Sequence, residues 1–198
     1  MPRIASEAFY KNAIKKHGLT PAGVCWLSYA HQQIRFEMIC ELLPESLRAM
    51  SIVDAGCGFG DFYTYLQDNN NLPQQYTGID AVDTMCHIAK EKTAQEIIHA
   101  DITNTQPPVS DFVICSGALN VLTPFETVQF IQNCYKTAKK GFVFNVLYGE
   151  KESQTYNYLS RKQIEAIARD LNVQNIHLRE GYLDGDITVG FYKVSSNN

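Results

Sequence analysis

Residues 51–62, SIVDAGCGFGDF, decide how this chain folds. A short apolar run enters a loop in which Gly56, Gly58 and Gly60 alternate with other residues. Glycine lets a backbone come close to a ligand and adopt positive φ. A glycine loop at the carboxyl end of a strand is where an open α/β sheet holds a cofactor. A nicotinamide-binding fingerprint, G-x-G-x-x-G, counted from Gly56 requires glycine at position 61, which is Asp61. An acid at the start of the following helix repels a pyrophosphate. The pattern therefore predicts a ligand that lacks phosphates and carries positive charge.

Outward from this loop, strands and helices alternate. SIVDAGC, QQYTGID, EIIHAD, DFVICSG and GFVFNVL read as strands. Helices are predicted at 61–68, 83–94, 124–139 and 160–171. VQNIHLREGY and DITVGFYKV close the chain as two strands joined by LDG, too short for a crossover and so antiparallel to each other. Apolar strands without strict alternation are buried on both faces. The expectation is a doubly wound α/β fold: a seven-stranded, mostly parallel sheet with an antiparallel last strand and helices on both faces. One domain is expected over 1–198, with an N-terminal helical cap (1–45) and a cofactor-binding core (51–194). In the cap, residues 3–17 read as a helix ended by Gly18, and a second helix runs to Leu43. In that second helix Leu27, Ala30, Ile34, Met38 and Leu42 form one apolar stripe, and Tyr29, Phe36, Cys40 and Leu43 lie off it.

Two further acids fall in register with the glycine loop. Asp80 ends the second strand, where an acid accepts hydrogen bonds from ribose hydroxyls. Asp101 ends the third, where a carboxylate can accept from an exocyclic amine such as that of adenine. Ribose and adenine are implied, without phosphate.

VDAGCGFG, YTGID, IIHADI and DFVICSGALNVL resemble, in order and spacing, the successive motifs of the class I S-adenosylmethionine-dependent methyltransferases. The chain is similar to a small, minimal-core, bacterial-type member with a Rossmann-like fold. The resemblance implies S-adenosylmethionine as methyl donor and S-adenosylhomocysteine as product. Asp54, with Ala55 and Cys57 in the same loop, resembles the acid that orients the loop and holds the methionine amino group. Gly56, Gly58 and Gly60 resemble the glycines under the methionyl and ribosyl parts, and Asp80 the acid on both ribose hydroxyls. Ala81, Val82 and Met85 resemble the apolar wall against adenine. Asp101 and Ile102 resemble the pair at the adenine amine and ring. Ser116 and Gly117 resemble the segment beside the reactive methyl group.

Outside these motifs two readings stay open for Trp26 and Arg35. The segment between them closes over the cofactor, with Arg35 on the methionine carboxylate, or Arg35 is a solvated helix residue and Trp26 a helix-start staple. His31 and Tyr148 are candidate bases. Asp61 and Asp83 read as helix caps, Cys57 as a packed small residue, and His99 as a core or edge histidine. No His/Cys/carboxylate spacing suits a metal.

Composition narrows the class. The chain has 198 residues, 45% hydrophobic and 19% charged, with net charge −4. That suits a packed core and gives no basic footprint for nucleic acid. Six scattered cysteines without a CxxC pair argue against a disulfide framework. With neither an apolar leader nor a membrane-length apolar run, a cytoplasmic protein is expected. The segment after the fourth strand, SGALNVL, lacks the [DNS]-P-P-[YFW] pattern of amino-group and adenine methyltransferases and has no Pro-Cys pair. The leading expectation is methyl transfer to a small molecule, acceptor atom open. Alternatives are an RNA or protein methyltransferase that needs a partner, a non-catalytic S-adenosylmethionine-binding module and, disfavoured by Asp61, a nicotinamide-dependent oxidoreductase.

Overall fold

A computed structural model describes Lys15, Lys16, Gly18 and residues 28–194. Lys15 and Lys16 are helical, and Gly18 follows with φ +67°. The rest of the helix expected over 3–17, and Trp26, lie outside the described residues. In chain order the elements are α1 (Tyr29–Glu41), β1 (Ser51–Ala55), α2 (Asp61–Asp68), β2 (Gln75–Asp80), α3 (Asp83–Thr93) and β3 (Glu96–His99). Then come β4 (Ser110–Ser116), a 3-10 turn (Ala118–Val121), α4 (Pro124–Thr137), β5 (Ala138–Tyr148), β6 (Tyr158–Leu159), α5 (Arg161–Asp170), β7 (Asn175–Glu180) and β8 (Asp186–Tyr192).

The strands form one sheet in the order β3-β2-β1-β4-β5-β8-β7, with β6 paired to the end of β5. Strand β8 runs antiparallel to both neighbours, and the other pairings are parallel. This is the expected Rossmann-like sheet plus one strand. At two residues, β6 is too short to leave a periodic signal in the sequence.

The helix starts follow from local chemistry. Thr123 and Glu126 form a capping box around Pro124 at the head of α4, and Ser160 and Gln163 do the same for α5. Ser28 caps α1. Asp61 and Asp83 prove not to be caps, because Gly60 and Val82 hold the cap positions of α2 and α3 without a side-chain bond.

Alternation along the strands sorts side chains onto two faces. On one, Val53, Val113, Phe142, Phe144, Val189 and Phe191 pack against Ile131 and Cys134 of α4 and Ile164 of α5. On the other, Ile52, Tyr76, Ile114 and Val143 pack under Phe36 and Ile39 of α1 and Phe62 and Leu66 of α2. Phe36 and Phe62 meet edge to face at 5.3 Å, joining the two helices.

The apolar stripe expected on α1 is mis-phased. Its buried face is Gln32, Arg35, Phe36 and Ile39, whereas Ala30 is exposed and Ile34 and Met38 are half-buried. Two polar residues occupy helical core positions because each finds a buried or half-buried carboxylate partner: Asp61 for Gln32 and Asp186 for Arg35. His99 lies exposed on the edge strand β3.

Phe62 is 2% exposed and joins α2 to both the sheet and α1. Phe62→Ala is expected to lower stability by about 3–5 kcal/mol in chemical denaturation, the cost of a large buried cavity.

Candidate functional site

On the α1 side of the sheet the strands change character at one end. Ile52 is followed two residues later by Asp54, Tyr76 by Gly78 and Asp80, Ile114 by Ser116, and Val143 by Asn145. Antiparallel β8 reaches the same edge with Asp186 and Thr188. Residues two apart share a face. The carboxyl edge of the sheet therefore carries polar groups on the face whose interior is apolar. A cleft opens above this edge, with an empty volume of about 1180 Å³, mouth included.

The glycine loop forms its floor. Gly56 and Cys57 both donate backbone N–H bonds to Ile79 O, at 2.7 and 2.9 Å, which folds the loop back over β2. Gly56 has φ +80°, and a Cβ there would lie 2.4 Å from the Ala118 methyl. No other residue fits that approach.

Asp54 is 2% exposed and accepts a 2.6 Å hydrogen bond from the Tyr76 hydroxyl. Burial, with smaller contributions from the Asp80 and Asp61 charges, pushes its carboxyl up to about 7 against the pull of Tyr76. Asp80 accepts from Gly58 N and Val82 N, both at 2.9 Å, and burial raises its carboxyl as well. Asp101 receives Thr103 N at 2.9 Å and the Thr103 hydroxyl at 2.7 Å. Asp61 binds Gln32 Nε2 at 2.9 Å and pairs with Lys92. Cys57 is buried, and desolvation pushes its thiol well above the usual range.

Helix α1 is the far wall, with Gln32, Arg35 and Phe36 on the cleft. Arg35 donates Nε–H to Asp186 Oδ2 at 2.7 Å, and its Nη2 pairs with the same oxygen. Asp186 Oδ1 is buried and has no hydrogen-bond partner among the described residues. Burial raises this carboxyl, and Arg35 works against the rise.

Of the residues singled out from sequence, Arg35, Asp54, Gly56, Cys57, Gly58, Asp80, Ala81, Met85, Asp101, Ile102, Ser116 and Gly117 all line this cleft, as does Val82. Ala55 and Gly60 do not. Ala55 points into the opposite core, and Gly60 packs beneath the loop, where a Cβ would lie 2.5 Å from Thr93 Cγ2. Neither His31 nor Tyr148 lines the cleft. Sequence reasoning missed Gln32, Tyr156 and Asp186. Tyr156 reaches the cleft from the loop before β6, and Asp186 opens the last strand, where nothing local marks it as the partner of Arg35.

Two outcomes follow. Arg35→Ala leaves a buried carboxylate without its cation and is expected to cost about 3–5 kcal/mol of stability. That is measurable by denaturation in the absence of ligand. Asp54→Asn has a pH signature. The native carboxyl is pushed up to about 7, and unfolding returns it to the ordinary 3.8. Between these values the native state alone keeps the proton, so this group's contribution to stability is lost as pH rises. The stability of Asp54→Asn minus that of the parent should increase from about pH 4 to about pH 7 and level off above. A difference that is flat with pH would refute the assignment.

The comparisons agree with this geometry. Residues 52–141 match the family model of a methyltransferase domain. No curated protein matches the sequence. Among solved structures, magnesium protoporphyrin IX methyltransferase from Synechocystis PCC 6803, with bound S-adenosylhomocysteine, is similar at TM-score 0.66 and 15% identity, over 83% of each chain. A protein from Pyrococcus horikoshii OT3 is similar at TM-score 0.68 and 13% identity, over 90% of this chain and 98% of its own. An S-adenosylmethionine-dependent methyltransferase from Mesorhizobium loti is similar at TM-score 0.62 and 15% identity, over 79% of this chain and 96% of its own. Among the described residues no helix is long and apolar enough to cross a membrane. Residues 52–141 thus match a methyltransferase domain, and the sheet that carries the glycine loop and the strand-end acids has the Rossmann-like fold of the similar methyltransferases.

Proposed function

We propose that the chain transfers a methyl group from S-adenosylmethionine to a small-molecule acceptor, as a single domain acting in the cytoplasm. The observation that carries this reading is the line of carboxylates Asp54, Asp80 and Asp101 along one cleft over a glycine loop. The donor fits the residues present. It is cationic at sulfur and nitrogen and has no phosphate, and the buried Asp54 carboxyl, raised to about 7 in the absence of a cation, is stabilised in its charged form by one.

Bound there, the donor supplies a methyl carbon already activated by its sulfonium, which takes the electron pair of the breaking C–S bond. The rest is positioning. Asp54 holds the ammonium group. Asp80 accepts from the ribose hydroxyls with the lone pairs that its backbone bonds leave free. Asp101 accepts the adenine amine, with Ile102, Ala81, Val82 and Met85 against the ring. Gly56 and Gly58 let the loop pass close beneath. Ser116 and Gly117 flank the methyl group. Ala55 and Gly60 act through the shape of the loop. Phe36, Phe62 and Phe130 narrow the cleft and restrict water at the reacting carbon. Arg35 is engaged by Asp186, so an ion pair with the methionine carboxylate requires it to serve both.

A small acceptor is favoured by a cleft whose lining charges are mostly carboxylates, a poor surface for nucleic acid. The similar Synechocystis enzyme is named for a small porphyrin, and another similar structure is a pyocyanin biosynthetic protein. A reducing compartment suits the five free cysteines among the described residues.

Calorimetric titration tests the reading. S-adenosylmethionine and S-adenosylhomocysteine are expected to bind and NAD is not, and Asp80→Ala should weaken binding by about tenfold or more, one charge-assisted hydrogen bond or better. Binding of NAD in place of the other two would overturn it.

A further inference from the structure

The crossovers from β1 to β2, β2 to β3 and β4 to β5 each carry a helix, and the one from β3 to β4 does not. Residues 100–109 pass β2 and β1 without one. Crossover helices are what cover the faces of a parallel sheet. On the face opposite α1, helix α4 packs on β4 and β5. Toward β3 that face is left with a pocket of about 480 Å³, mouth included. Its floor is Ile79, Ile98, Ala100 and Ile102, with Ile79 and Ile98 opposite each other in register. Pro107 and Pro108 form a side wall that their fixed φ makes stiff.

Nothing charged lines this pocket. Thr105 and Gln106, both on the exposed loop, supply its only hydrogen-bonding side chains. The volume falls in the range of small-molecule sites, about 300–1,000 Å³. A protein partner covers roughly 20–30 residues, far more than this lining offers.

The pocket stands back to back with the cleft. Ile79, Ala100 and Ile102 line both. Through their backbones these residues also hold the cofactor-side groups. Ile79 O accepts the Gly56 and Cys57 N–H groups, and Ala100 N–H donates to the backbone oxygen of Asp80 at 3.0 Å. Asp101 lies between Ala100 and Ile102 in the chain, and its backbone oxygen accepts Asn104 N and Thr105 N at 3.0 and 2.9 Å. The turn that presents Asp101 to the cleft is therefore the turn that brings Thr105 to the pocket.

We propose that this pocket binds a small uncharged molecule, one or two apolar rings with a single hydrogen-bonding group, and that its occupant tightens donor binding in the cleft. The coupling rests on the S-adenosylmethionine reading, and the pocket itself does not. An empty space behind the wall leaves Ile79, Ala100 and Ile102 without packing partners on that side. Filling it supports the wall against which the adenine lies. Each ligand then favours the other by the same factor.

Indole is the probe, followed by the δ1-methyl NMR signals of Ile98 and Ile102 in the full chain without donor. Both signals are expected to shift and saturate, with a Kd on the order of 0.1–1 mM for a molecule of this size. Benzylammonium, a ring that carries a charge, is expected to shift neither. Ile98→Trp fills the pocket from β3 and should abolish the indole response of Ile102. Thr105→Val/Gln106→Leu, confined to the exposed loop, should weaken indole several-fold by removing its hydrogen-bonding partners. Calorimetry should then show S-adenosylhomocysteine binding about fivefold or more tightly in saturating indole, and that gain should be absent in Ile98→Trp. No saturable indole response, equal binding of benzylammonium, or unchanged indole affinity in the loop variant overturns the site. Saturation with indole that leaves S-adenosylhomocysteine affinity unchanged or weaker overturns the coupling. Failure of S-adenosylhomocysteine to bind at all overturns the methyltransferase reading and leaves the pocket standing.

Discussion

The molecule depends on a single constraint: alternate side chains of a strand share a face, so one strand can be apolar over its length and polar at its tip without changing sides. Beneath α1 and α2 the face is filled by Ile52, Tyr76, Ile114 and Val143, which tie the helices to the sheet. Two residues further along each parallel strand the same face carries Asp54, Gly78, Ser116 and Asn145. The packing that stabilises the fold thus delivers the polar edge to the cleft. Antiparallel β8 enters from the other direction, so its first residues, Asp186 and Thr188, complete that edge. A one-residue slip in any of these strands would bury its acid or amide in the opposite core.

The same edge holds α1 in place. Arg35 bonds Asp186 through its side chain and Asn145 through its backbone oxygen, and Gln32 reaches Asp61 at the start of α2. A helix attached at β8, β5 and α2 is a wall of the cleft rather than a swinging lid. Burying an ion pair is a poor way to gain stability, because desolvation offsets the attraction. Its effect here is geometric. The pair fixes the rotation of α1, so that Phe36 and Ile39 meet the sheet while Gln32 faces the cleft.

Much of this was legible in the sequence wherever signal and consequence are close together in the chain. The glycine loop, Asp80 and Asp101 are local patterns at strand ends, and the structure brings them to one cleft. Arg35 was visible as a guanidinium, but its partner is 151 residues away at the start of the last strand, and no local pattern links the two. The phase of α1 was misjudged for the same reason. Apolar periodicity cannot show that Gln32 and Arg35 face inward, since that depends on carboxylates supplied by α2 and β8. Ala55 and Gly60 belong to the motif but not to the cleft lining. Their requirement is steric, and a motif does not separate residues that touch a ligand from residues that let the loop bend.

The acids at the strand ends also explain why such an edge persists at a cost to the fold. Burial raises the carboxyls of Asp54 and Asp80, and the Asp80 and Asp61 charges add to the rise at Asp54. Near neutral pH, before a ligand arrives, Asp54 is divided between a neutral form that the protein tolerates and a charged form that it strains to hold. A bound cation reverses that balance by giving the charged form an opposite charge inside the same low-dielectric site, where each interaction is worth more than in water. A phosphate would make it worse. The free energy withheld from stability is therefore available as selectivity, and the sign of that selectivity, toward a cationic and phosphate-free ligand, is set by three side chains whose positions the sheet has already fixed.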